Sequence, residues 1–124
     1  MIAVSAFAVA AVPTQEAPPG RAQLFFDDFS TGQLDRSKWN VIVTGRTVNN
    51  EQQAYVDSTD TVSLAIGPDS AGAENGALVI RARRRAGFKT SEGRAFDFVS
   101  GRLESRSKFE FTYGTAAARI KLTA

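Results

Sequence analysis

The chain contains neither cysteine nor histidine, and those two absences remove most of the familiar catalytic constellations. Without Cys there is no disulfide framework and no thiolate metal site, and sulfur is silent about the redox compartment. Without His, Ser–His and Cys–His nucleophilic catalysis and ordinary zinc sites are excluded. Charge of one sign is scarce as well: fifteen Lys and Arg stand against thirteen Asp and Glu, a formal balance of +2. That balance does not call for nucleic acid or an anionic membrane as partner. The one extended apolar stretch, Ile2 to Val12, is too short to span a bilayer. Carboxylates are what remains for chemistry. The composition, 43% hydrophobic and 23% charged over 124 residues, is that of an ordinary globular chain with one domain as the prior.

The stretch at residues 1–12 is Ala-rich and has the length of a signal-peptide apolar region, with Ala8-Val9-Ala10 as a small-x-small cleavage pattern. No Lys or Arg precedes it, so a disordered or helical tail is the alternative to export. The reading adopted is a secreted protein, extracellular or periplasmic. Residues 13–22, with three prolines, form a linker, and the globular part runs over 23–124.

Within it the patterning is β. From Arg102 to Glu110 charged residues occupy the even positions and Leu103, Ser105, Ser107 and Phe109 the odd ones. A strand turns alternate side chains to opposite faces, so one strand is expected here. Tyr113-Gly114 breaks it, and Ala118 to Leu122 alternates again as a second strand. Upstream, Leu24 to Phe29 reads as a short strand ending in two carboxylates. Leu34 to Trp39 reads as a single helical turn capped by Asp35, with Trp39 packed in the core rather than stacked on a sugar. Val41 to Val43, Val62 to Ile66 and Ala77 to Ala82 are further strands, and Gly87 to Phe96 is a loop. Arg81, Arg83, Arg84 and Arg85 form the one basic cluster, read as solvated charge or as protection of a sheet edge. No aromatics alternate with them as a nucleic-acid stacking platform requires.

Several separated motifs carry a family resemblance. Phe25-x-Asp27-Asp28-Phe29 with Leu34-Asp35 and Trp39, then Asn49-Asn50-Glu51-Gln52-Gln53-Ala54-Tyr55, Gly76 to Ala82, Ser100 to Ser105, Lys108-Phe109, Tyr113-Gly114, and Ala118 to Leu122 together resemble the glycoside hydrolases of family sixteen. That family comprises laminarinase- and lichenase-like endo-β-glucanases. Where its members usually carry a bulkier, acidic stretch, this chain has Thr115-Ala116-Ala117.

The resemblance implies an all-β fold, part of a concanavalin-like jelly-roll sandwich with a concave cleft for a β-glucan chain. It implies retaining endo-hydrolysis of β-1,3 or β-1,3-1,4 glucosidic bonds by the complete protein. It places Asn49 and Arg102 on the cleft side as substrate-binding candidates. It also implies one structural calcium, with Asp28 and Gly76 at the matching positions. In an extended chain Asn49, Glu51, Gln53 and Tyr55 share a face, and such amide, carboxylate and phenol groups hydrogen-bond sugar hydroxyls; they can equally satisfy loop backbone.

Glycoside hydrolysis needs two carboxyl groups about 5–5.5 Å apart for retention or about 6.5–9.5 Å for inversion. Acids two apart on one strand lie roughly 6.6 Å apart on one face. No two acids in this sequence are two or four residues apart, although a pair from separate strands, such as Glu51 with Glu104, stays open. The resemblance assigns nucleophile and acid to a Glu-x-Asp-x-x-Glu strand that these residues do not include. The chain therefore reads as the N-terminal part of such a hydrolase, ending before the catalytic strand and inactive alone. A non-catalytic carbohydrate-binding β-sandwich is the alternative.

Overall fold

The structure, a computed structural model, describes residues 20, 22–43, 50–73 and 75–122. The export-like segment, nearly all of the linker, and Asn49 lie outside the described residues. The described chain is all-β, with one 3-10 turn at Gly67–Ser70. Seven strands follow in order: β1 (Asn40–Val41), β2 (Gln53–Tyr55), β3 (Val62–Ala65), β4 (Ala77–Ile80), β5 (Arg83–Lys89), β6 (Ala95–Ser100) and β7 (Leu103–Glu104). They form three sheets: β1 with β7, β3 with β4, and a three-stranded sheet in the order β2-β6-β5.

In the central sheet β2 runs parallel to β6, with Gln53 opposite Phe98 and Tyr55 opposite Ser100. β5 is antiparallel to β6, with Arg83 opposite Val99 and Phe88 opposite Phe96. Their register shifts between Arg84 and Phe88, so Arg85, Ala86 and Gly87 bulge against Asp97. The Asp97 carboxylate accepts the Gly87 N–H at 3.1 Å, and Gly87 takes φ 68°, a left-handed conformation that side-chain-bearing residues avoid. The buried residues Ala54 and Val99 lie side by side on one face of this sheet, and Val62 and Phe96 complete the buried apolar set.

A second cluster is aromatic. Phe25 meets Trp39 edge-on at 5.3 Å and stacks on Phe109 at 4.8 Å, and Phe29 lies 6.1 Å from Trp39. The Trp39 indole N–H donates to Asp27 Oδ2 at 2.8 Å, so its polar atom is satisfied while its ring packs. The helical turn before it is present: the Lys38 and Trp39 amides donate to the Asp35 carbonyl at 3.1 and 3.0 Å. The Asp35 carboxylate caps the turn through Ser37 N at 2.9 Å. Lys108 then ties the turn to the end of the chain, its ammonium donating to the carbonyls of Arg36 and Trp39.

Several expected elements differ. Leu24 to Phe29 has no ladder; Asp27 and Asp28 instead turn back on the amides of Phe29 and Ser30, a local alternative to strand pairing. The strand expected from Arg102 to Glu110 stops at Glu104. Ser105 accepts the amides of Lys108 and Phe109 through its carbonyl, both at 2.9 Å, and its hydroxyl donates to the Phe109 carbonyl at 2.9 Å. Ala118 to Leu122 is exposed and unpaired, with Ile120 73% and Leu122 83% accessible. Alternation gives a strand its faces, but only a neighbouring strand gives it a ladder. Conversely, the expected loop from Gly87 to Phe96 is mostly hairpin, turned between Thr90 and Arg94.

Candidate functional site

The central sheet buries Ala54 and Val99 on one face; on the other it buries Phe96 near the start of β6 and leaves the stretch around Phe98 partly accessible. In a ladder, directly paired residues share a face. The open face therefore carries Gln53 and Tyr55 from β2 and Phe98 and Ser100 from β6. Contacts bear this out. The Gln53 side-chain amide donates to the Tyr55 hydroxyl at 3.1 Å, and the Arg102 guanidinium lies over the Tyr55 ring, 5.6 Å from its centroid. Phe98 remains 38% accessible.

Arg102 reaches this position because two features hold its backbone. Its carbonyl accepts the Ile42 amide at 2.9 Å, extending the β1–β7 pairing. Gly101 before it is buried, and a Cβ there would collide with the Val62 side chain and the Thr61 carbonyl. Glycine lets the β6–β7 joint press against β3, and that approach sets Arg102 over Tyr55. The stack joins residues far apart in the chain, which sequence spacing does not reveal.

A groove of ≈ 410 Å³ continues the open face at the other end of β6, lined by Asn50, Glu51, Gln52, Arg94, Ala95, Phe96, Asp97 and Phe98. Arg94 sits 5.5 Å over the Phe96 ring. Rings, amides and guanidinium groups together suit a ligand with both apolar faces and hydroxyl rims, which is what a pyranose presents. Glu51 lines this groove, whereas Glu104 lies on β7 opposite Asn40, so they share no site. Asn49 falls outside the described residues; its neighbour Asn50 stands at the groove.

Asp28 and Gly76 come together on another part of the molecule. Asn75 donates to Asp28 Oδ2 at 3.4 Å, and Gly76 is buried so closely against the Phe29 carbonyl that no Cβ fits. Hydrogen bonds from the Ser30 hydroxyl and amide hold the Asp28 carboxyl below its ordinary value of 3.8, keeping it anionic. Among the described residues no cluster of three or more Asp and Glu forms that could hold a metal ion. Asp28 and the neighbouring carbonyls supply far fewer than the six to eight oxygens calcium takes.

Sequence comparison gives the chain its relatives. The chain is 30% identical to glucan endo-1,3-beta-glucosidase A1 of Niallia circulans over 89% of its own length and 16% of that protein. It is 32% identical to endo-1,3-1,4-beta-glycanase ExsH of Rhizobium meliloti (strain 1021), over 75% of this chain and 22% of the relative. It is 33% identical to endo-1,3-1,4-beta-glycanase EglC of the same organism, over 74% and 22%. The chain is thus similar to part of these endo-1,3 and endo-1,3-1,4-β-glycan hydrolases, and it spans about a fifth of their length. No family model matches the chain. No solved structure matches it.

Proposed function

We propose that this chain contributes part of the substrate-binding face of a secreted glycoside hydrolase of family sixteen that cleaves β-1,3 or β-1,3-1,4 glucosidic bonds with retention. The observation that carries the reading is the Arg102–Tyr55–Gln53 arrangement beside Phe98 on an open sheet face, in a chain whose relatives are named as β-glucanases. Tyr55 and Phe98 offer rings to the apolar faces of glucose units. Gln53, Ser100 and Arg102 offer donors to their hydroxyls.

The catalytic carboxyl pair is assigned to residues other than these 124, as the family resemblance implies. A structural calcium would be held in part by Asp28 and the Gly76 carbonyl, bracing the turn at residues 27–30 against the start of β4. The second reading, a non-catalytic carbohydrate-binding module, uses the same face and omits the hydrolysis.

Affinity electrophoresis through gels containing laminarin or lichenan tests the shared claim. Retardation is expected, and Tyr55→Ala and Arg102→Ala should each weaken it about five- to thirtyfold, the equivalent of about 1–2 kcal/mol. Unretarded protein, or variants retarded like the parent, would contradict it. A reducing-sugar assay separates the readings: the 124-residue chain is expected to release none, and release abolished by Glu51→Gln would move the chemistry into the groove.

A further inference from the structure

The β5 margin of the open face is cationic. By the β5–β6 register Arg84 stands opposite Phe98 and Phe88 opposite Phe96, so both share the face of Gln53, Tyr55 and Ser100. The Arg85 guanidinium is held 5.0 Å from the Phe88 ring centroid, over that same face. Arg83, opposite Val99, goes to the reverse side, where it donates to the Asp60 carbonyl. Two exposed guanidinium groups, Arg84 and Arg85, thus edge the face beside the accessible Phe98 ring.

The neighbouring acids are placed elsewhere. The ion pairs among the described residues, Arg36–Asp57 and Lys38–Asp35, involve neither arginine. Glu51 precedes β2, and the strand order puts β6 between it and β5, roughly two strand spacings or 9–10 Å away. Asp97 alternates with Phe96 and Phe98, and its carboxylate turns to the Gly87 amide in the bulge. Glu92 stands at the tip of the hairpin, beyond Thr90, and Glu104 belongs to the β1–β7 sheet. An aromatic ring positions the Arg85 charge without neutralising it.

We propose that the β5 margin is a subsite for a carboxylate carried on the glucan, so that the open face selects an acidic β-glucan over a neutral one. Adjacent strands lie about 4.8 Å apart, so a sugar ring against Phe98 brings the substituents on its rim over β5, where Arg84 stands. Guanidinium forks match carboxylate geometry, and Arg85, poised over Phe88, supplies the second fork. The saccharide part rests on the glucan reading above; the charge part rests on Arg84 and Arg85.

The test titrates the protein with a β-1,3-glucan, its carboxymethylated derivative and carboxymethylated dextran, which is α-linked. Carboxymethylated β-glucan should bind about tenfold tighter than either of the others. Arg84→Gln/Arg85→Gln should lose that preference and bind neutral glucan unchanged, whereas Arg83→Gln, on the reverse side, should keep it. In the parent protein the preference for the carboxymethylated over the neutral β-glucan should collapse at about 1 M salt, where screening acts over roughly 3 Å; this readout needs no variant to fold. A preference that survives the salt or the double substitution, or that Arg83→Gln removes equally, would overturn the proposal. Tighter binding of a single-stranded polynucleotide through Arg84 and Arg85 would overturn it too. Equal, Tyr55-dependent binding of neutral and carboxymethylated β-glucan would leave the glucan reading standing and remove the acidic subsite. If both carboxymethylated polymers bind equally through Arg84 and Arg85 and neutral glucan does not bind, the anion site stands and the glucan reading falls.

Discussion

At the scale of single residues, three carboxylates are held anionic by local donors. The Ser30 hydroxyl and amide lower Asp28, the Ser37 hydroxyl and amide lower Asp35, and hydrogen bonds from Arg36 lower Asp57, each from an ordinary value of 3.8. A carboxyl whose folded value is depressed contributes stability above its unfolded value, and that contribution is lost as pH falls through the folded one. The acid limb of unfolding should therefore begin as pH drops below about 4, with no matching loss between pH 5 and 8, where the chain has no His to titrate. Asp57→Asn should shift the acid limb only slightly, because both partners of the Arg36–Asp57 pair are solvent-accessible and such pairs contribute about 0–1 kcal/mol. Circular dichroism against pH checks this; a loss of structure centred near pH 6.5 would contradict it.

At the scale of elements, the joint between β6 and β7 couples packing to the site. Gly101 has Val62 and Thr61 where a side chain would go, so Gly101→Ala should destabilise by about 1–3 kcal/mol, the usual cost of overpacking. It should also weaken glucan binding, because the displaced backbone carries Arg102 away from Tyr55. Chemical denaturation and glucan titration of the variant together check both halves; unchanged stability would mean that the joint is loose. Local chemistry explains which elements could be read from the chain. The capped turn at Asp35 needs only residues within four positions, and the β3 and β4 cores at Val62 and Leu78 announce themselves by composition. β5 was hidden because three arginines, an alanine and a glycine mask its alternation, and because its bulge depends on Asp97 across the ladder. The alternation of Ala118 to Leu122 misled for the opposite reason: it shows two faces and says nothing about a neighbour to pair with.

At the scale of the whole molecule, the defining contact is non-local. β2 and β6 are parallel neighbours although Gln53 and Phe98 stand far apart in the chain, and such pairings must overcome loop-closure entropy before they reward it. That is why the motif around Gln53 and Tyr55 and the one around Ser100 and Arg102 were each legible as sugar-binding candidates, while their union was not. One face of this pair is buried by Ala54 and Val99 and the other is left to Gln53, Tyr55, Phe98 and Ser100. The central claim is that glucan occupies that open face. Amide hydrogen exchange of the protein with and without a laminari-oligosaccharide tests it most directly. Added protection should concentrate at residues 50–55 and 96–102 and spare β3 and β4. Protection spread evenly over all three sheets, or confined to residues outside the β2–β6 pair, would contradict it.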